Sequence, residues 1–257
     1  MTTAVIAQPT FLPWSGWLDL ADQADVLIIL DSVAFSKQSW QQRNRIRTNE
    51  GLSYVSVPVR TAGRLGQLIR ETELVDLHFV EKMIKTISAN YQRAQHFHGY
   101  FPEFCDVFRE SASAGMLSTL NVGLIRWLLV QLGIKTPLVL SSDLAVDGAR
   151  GSLVAKLCEH VSADRYLSPA GAEGYLLEDR REFDTRAIAV DLHVYEHPEY
   201  RQCIEPFIPY ATVLDVLLNE GAAAGGVVRS GRRPARALGT SAAKGDGAAA
   251  ASLSEEV

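Results

Sequence analysis

Residues 3–31 read TAVIAQPTFLPWSGWLDLADQADVLIILD, and this stretch decides the fold. Thr3–Gln8 is an apolar run of strand length that ends on a polar residue, and Val26–Leu30 is a second such run, closed by Asp31. Between them, Trp14–Gln23 sets Trp14, Trp17, Leu18 and Ala21 on one side of a helix. Strands apolar on both faces and joined by a helix form a β-α-β unit, in which the two strands lie parallel beneath their crossover.

The alternation continues outward. YVSVPV (54–59) reads as a strand, and Phe79, Val80, Met83, Ile84, Ile87 and Tyr91 mark an amphipathic helix. Further helices are expected over about 101–111 and 118–132, the latter stopped by Gly133. PLVLSSD (137–143), RYLSP (165–169) and AIAVDLHVY (187–195) read as strands, with helices at Gly151–Val161 and Val213–Asn219. The expectation is an α/β fold with a mostly parallel sheet and flanking helices. Residues 222–257 are rich in Ala and Gly and contain no aromatic residue, so they are expected to form a disordered C-terminal tail behind one domain over 1–221.

The 257 residues are 47% hydrophobic and 21% charged, which excludes collagen-like, mucin-like and wholly disordered classes. A net charge of −5 supplies no global field for nucleic acid. Cys105, Cys158 and Cys203 are far apart and fit neither a disulfide framework nor a zinc site. The N-terminus has no basic region before its apolar run, and no run approaches membrane-spanning length, so a cytoplasmic protein without a membrane span is expected.

In open α/β sheets ligands bind at the carboxyl ends of the strands. Gln8, Asp31, Ser141, Ser142, Asp143 and Ser168 fall there. In QPTFLPWSGW (8–17) two prolines stiffen the turn; Gln8 and Trp14 wall a pocket, or the tryptophans are simply core. Ser36–Asn49, SKQSWQQRNRIRTN, is a basic loop with Lys37, Arg43, Arg45 and Arg47 and no acid. Arg43 and Arg45 alternate about Asn44, so an extended chain puts both guanidinium groups on one face, suited to a phosphate or carboxylate. Trp40 adds a stacking surface. The bland alternative is a solvated charge run.

His193-Val-Tyr-Glu-His197 matches the H-x-x-E-H zinc pattern, but it continues a β-type run and meets Pro198. In a strand the two imidazoles stand about 13 Å apart, so no metal site is expected. His197 then serves proton transfer, beside Tyr200 and Gln202, or is structural. There is no glycine-rich phosphate loop and no G-x-S-x-G elbow, and the sequence leaves the cofactor unknown. Asp31, the first polar residue past a buried strand, is the leading candidate base, with His197 and Asp143 as the alternatives; Asp31 could equally orient Arg43 or Lys37 through an ion pair.

The blocks QPTFLPWSGW, ADVLIILDSVAFSKQSWQQRNRI, YVSVPV, LNVGLIRWLLVQLGI, SSDL, YLSPAGAEGYL, HPEYRQ and VLDVLLNEG follow one another in an order that resembles the WbqC-like protein family over roughly residues 4–221. Pro169 and Trp17 depart from its pattern, which more often has Gly and Tyr. The resemblance implies a place among genes for O-antigen and other surface polysaccharides or for specialised metabolites, and a glycyl or other acyl transfer role. The first 45 residues are also similar to the opening of nucleotidyltransferases and adenylate-forming ligases of the H-x-G-H type, with Trp14-Ser15-Gly16-Trp17 in place of the histidines. That likeness implies a Rossmann-like nucleotide-binding start. The expected function is transfer of an acyl or aminoacyl group from a small-molecule or carrier-bound anionic donor to an amine acceptor. A carrier protein or pathway enzyme is the expected partner. The alternatives are a non-catalytic module that holds a nucleotide sugar or partner enzyme, and a nucleotidyl-transfer or adenylate-forming enzyme.

Overall fold

The computed structural model describes residues 1–240. The opening unit forms as expected: β1 (Thr3–Ala7), α1 (Ser15–Asp22) and β2 (Val26–Ile29), with Val5 opposite Leu27 in a parallel ladder. A hairpin of β3 (Arg43–Thr48) and β4 (Gly51–Ser56) follows, then α2 (His78–Tyr91), α3 (Phe97–Ser113) and α4 (Leu117–Gln131). The chain returns through β5 (Leu138–Leu140), α5 (Arg150–His160) and β6 (Arg165–Ser168). Two short helices, α6 (Glu173–Glu178) and α7 (Arg180–Asp184), lead to β7 (Ala189–Tyr195). Last come α8 (Val213–Glu220), α9 (Ala224–Ser230) and β8 (Arg232–Ala237).

The main sheet has the order β5-β2-β1-β6-β7-β8. Its first five strands are parallel and β8 is antiparallel. Because side chains alternate along a strand, the apolar runs feed two cores at once. Val5, Leu27, Ile29 and Leu167 enter the larger one, with the inner faces of α2, α3, α4 and α8. Ala4, Ile6, Ile28 and Tyr166 enter the smaller one, against Leu153, Leu157, Leu176 and Phe183.

Three expectations need correction. The strand placed at 54–59 is β4, three residues earlier, because its register is set by pairing with β3, Arg43 opposite Ser56. The basic loop is therefore a loop only in its first half; Arg43–Thr48 is strand. The boundary near Gly221 falls inside the fold, since residues 224–230 are helical and 232–237 complete the sheet. The remainder of the expected tail, 241–257, lies outside the described residues.

The tail expectation counted apolar side chains and overlooked backbone pairing and charge. Asp19 is completely buried on α1; it accepts from Arg232 Nε at 2.9 Å and from His193 Nε2 at 2.8 Å. Asp22 binds both Arg229 and Arg232, and its pKa is lowered because the two arginines outweigh the effect of burial, which acts to raise it. Arg236 closes on Glu173. The arginines of the C-terminal segment thus neutralise acids that α1 buries. Removing one partner of such a cluster leaves a charge in the interior. Arg232→Met is expected to cost about 2 kcal/mol, seen as a fall in melting temperature of about 4–8 °C. Arg233→Ala, whose partner Glu196 is exposed, should change stability by less than about 0.5 kcal/mol in the same assay.

Candidate functional site

The strand order reverses between β1 and β6, the place where open parallel sheets bind ligands. Gln8 follows β1 and Ser168 ends β6, so both stand at this switch point. Asp31 follows β2, Ser141 follows β5 and His197 follows β7. Every parallel strand therefore hands a polar residue to the same edge.

The connection from β1 to α1 is held from two sides by amides. Asn44 Nδ2 donates to the carbonyls of Phe11 (3.1 Å) and Leu12 (2.9 Å), and Asn121 Nδ2 donates to those of Pro9 and Gln41, both at 2.7 Å. Asn44, expected to touch substrate, is buried and builds the turn instead. Gln41 Nε2 donates to Gln8 Oε1 at 2.6 Å, and Phe11 N to Trp40 O, so the hairpin is fastened to the carboxyl edge.

As the alternation predicts, Arg43 and Arg45 share one side of β3 while Asn44 and Ile46 face inward. Arg43 lies over the Tyr54 ring at 4.6 Å and Arg45 over Trp40 at 5.4 Å. A guanidinium over an aromatic face can keep N–H groups directed outward for an anion. Arg45 Nη2 reaches Tyr210 O at 3.5 Å, and its buried Nε has no partner. Among the described residues neither arginine has an acidic partner.

His197 sits in an aromatic enclosure. Its ring stacks on Trp14 (6.2 Å between centroids, 14° between planes) and meets Tyr210 edge-on at 5.2 Å. Tyr195, Tyr200 and Phe207 complete the wall. Burial lowers its pKa to about 4, so the imidazole is neutral at pH 7. The Pro198 carbonyl accepts from Nδ1 at 3.0 Å, which fixes the proton there and leaves Nε2 a lone pair. That Nε2 is buried and has no hydrogen-bond partner. Gly16 is required here, since a Cβ at that position would come within 2.3 Å of the Trp14 ring.

Other expected residues lie elsewhere. The Asp31 carboxylate is buried and accepts from Ser141 Oγ (3.0 Å), Ser142 N (3.0 Å) and Ser142 Oγ (2.8 Å), tying β2 to the turn after β5; it makes no ion pair with Arg43 or Lys37. Asp143 is exposed at the end of that turn. Lys37 lines a separate open cleft of about 390 Å³ with Phe35, Arg64 and Leu65. Ser168 is fully buried, its Oγ donating to Pro169 O. Tyr200 and Gln202 are buried in a network around Asp215: Tyr200 Oη donates at 2.5 Å and Gln202 Nε2 at 2.9 Å. Burial raises the Asp215 pKa, and the bonds from Tyr200, Gln202 and Tyr91 oppose that rise. His193 takes Asp19 and is not joined with His197. Tyr54, Phe207 and Tyr210 were not anticipated. The signal for two of them was the proline-rich stretch PFIPY (206–210), stiffened in the manner of QPTFLPW.

A parallel α/β sheet with the Rossmann-type strand reversal, its carboxyl edge overlaid by a cationic hairpin, defines the class of protein. The chain belongs to the WbqC-like protein family, whose model matches residues 8–226. It is similar to the "Uncharacterized protein Rv1507c" of Mycobacterium tuberculosis, 33% identical over 225 residues that cover 87% of this chain and 96% of that protein. No solved structure matches. Among the described residues no helix is long and apolar enough to cross a membrane.

Two outcomes are expected. An unfolded His197 titrates near 6.5 and the folded one near 4, so between these values the unfolded chain binds more protons and stability falls as pH drops. His197→Phe should remove about 2 kcal/mol of the stability difference between pH 7 and pH 5, measured by urea unfolding. Asp31→Asn turns an amide toward the Ser142 N–H and hydroxyl donors, and should cost about 2 kcal/mol in the same measurement.

Proposed function

We propose that the protein transfers an acyl or aminoacyl group from an anionic donor to an amine, with the donor's charged handle on Arg43 and Arg45 and the transferred proton received by His197. The observation that supports the reading is the pair Arg43 and Arg45, backed by Tyr54 and Trp40 and without an acidic partner among the described residues, with the neutral His197 ring against the Tyr210 segment whose carbonyl also takes Arg45. In such a reaction the amine nitrogen attacks the acyl carbonyl, the N–C bond forms and the bond to the carrier breaks. As nitrogen bonds to carbon its attached proton becomes strongly acidic, so even a weakly basic imidazole receives it. An acceptor arriving as the free amine meets a base that is already unprotonated at neutral pH. Asp31 holds the Ser141–Ser142 turn in this reading and takes no proton. The amine of an amino sugar and a place in surface-polysaccharide or specialised-metabolite synthesis are what the family resemblance adds.

The strand reversal at β1 and β6 favours a nucleotide or nucleotide-like handle on the donor. The mass spectra of the purified protein incubated with activated acyl and aminoacyl donors and candidate amino sugars test for product. Arg45→Ala should weaken donor binding by about 2 kcal/mol, with Arg45→Lys restoring only part of it, because a bidentate fork is lost. His197→Gln should lower turnover at least about 100-fold and leave donor affinity in place. Unchanged affinity in Arg43→Ala and Arg45→Ala would return the hairpin to an ordinary surface. Tight donor binding without product from any acceptor would mark a binding module.

A further inference from the structure

The loop that carries His197 also walls a second cleft, about 390 Å³ in volume, together with the chain after α2 and the end of α8. Arg93, Gln95, Arg201, Cys203, Glu205 and Asn219 line it. Its charges are of both signs. Arg93, Arg201 and Glu205 are exposed, and among the described residues none of the three side chains forms an ion pair. Elsewhere on this surface arginine side chains repeatedly close on neighbouring carboxylates, as Arg150 does on Glu178 and Arg109 on Glu81.

The floor of the cleft is held by hydrogen bonds. Gln202 is 3% exposed and also lines the cleft; its Oε1 accepts from Ile208 N, and its Nε2 donates to Ile208 O and Asp215. Asn219 Nδ2 is fixed on Asp215 O at 2.8 Å, and Arg201 N on Glu220 Oε1. The backbone that bears Arg201 and Glu205 is therefore pinned from beneath. A ligand with one charge would satisfy one rim and leave the other unmatched, whereas a small zwitterion satisfies both. A volume of this size falls in the range of small-molecule sites.

We propose that this cleft binds a small zwitterion, its acid group held by the Arg93 and Arg201 guanidinium groups and its ammonium by the Glu205 carboxylate. The assignment does not depend on the transfer reading, since Arg43, Arg45 and His197 take no part in it. Guanidinium forks match a carboxylate in two-point fashion, and a carboxylate is the complementary acceptor for an ammonium with three donors.

Cys203 supplies the readout. Of the three thiols it alone is not buried, and it lies in the cleft. The full chain is labelled with N-ethylmaleimide and modification at Cys203 is followed by peptide mass spectrometry. The additions are unbranched amino acids from glycine to 4-aminobutyrate, or acetate, methylammonium or inorganic phosphate at equal concentration. At least one amino acid is expected to slow labelling about fivefold or more, with the probes that carry one sign of charge below about twofold. Arg93→Ala and Arg201→Ala should each raise the half-protecting concentration about tenfold, and Glu205→Gln should abolish the preference over acetate. Arg45→Ala should leave protection as it was, which separates this site from the hairpin. Equal protection by acetate or phosphate would overturn the proposal in favour of a plain anion site, and protection that survives both alanine substitutions would overturn it as well. Calorimetric titration with the same probes gives a second reading, and no heat from any amino acid together with no protection would also refute it.

Discussion

Two side-chain amides, Asn44 and Asn121, hold the connection between β1 and α1, and most of the candidate site hangs from that grip. A turn with Pro9 and Pro13 has few N–H groups with which to organise itself, and its carbonyls are buried away from water. Without donors these carbonyls would carry the full cost of desolvation. Asn44 comes from the hairpin and Asn121 from α4, so the three bonds that satisfy the turn, with the fourth from Asn121 to Gln41 O, weld three separate parts of the chain together. Trp14 can then lie against His197, and Trp40 and Tyr54 can hold the arginines, because the pieces that bear them share one anchor. The buried Asn121 Oδ1 has no partner, which shows that the donor end of this amide is what the site uses.

Charge is distributed inside the molecule on two different principles. Around Asp19 and Asp22 arginines pair with the acids, so the last strand is attached by ion pairs as well as by its ladder. Around Asp215 the donors are neutral, Tyr200 and Gln202, and burial pushes the carboxyl toward its protonated form. The first cluster joins distant segments. The second stiffens the loop between β7 and α8, which carries His197 on one stretch and Arg201 and Glu205 on the next.

Apolar periodicity made the opening β-α-β unit, the parallel sheet and the long helices legible, because a strand buried on both faces and a helix buried on one leave patterns in the side chains alone. The same logic missed α9 and β8. What stabilises those elements is backbone pairing and arginine charge, and the acids that receive Arg229 and Arg232 lie more than 200 residues earlier in the chain. Asp19 is an instance of the same blindness: a charged residue within an amphipathic pattern reads as solvent-facing, yet it is wholly enclosed. In the site, the common face of Arg43 and Arg45 followed from strand alternation. The enclosure of His197 did not, since rings from four separate stretches assemble it. Nor did the burial of Asn44 and the saturation of Asp31, because a polar residue at a strand end has the same appearance in sequence whether it meets a ligand or a backbone carbonyl.

The antiparallel β8 has a bearing on how the protein behaves in a crowd of its own copies. A parallel sheet that stopped at β7 would leave the backbone of a seven-residue strand open along one side. Instead the outermost described strand reads RRPARA, with a proline that has no N–H to offer and charged arginine side chains tied back to Asp19, Asp22, Glu196 and Glu173. At the opposite margin β5 is only three residues long. Among the described residues neither border presents the long, flat, uncharged strand on which another chain could nucleate, which disfavours edge-to-edge growth, and at the β8 border this protection comes from the same arginine-rich segment that completes the fold.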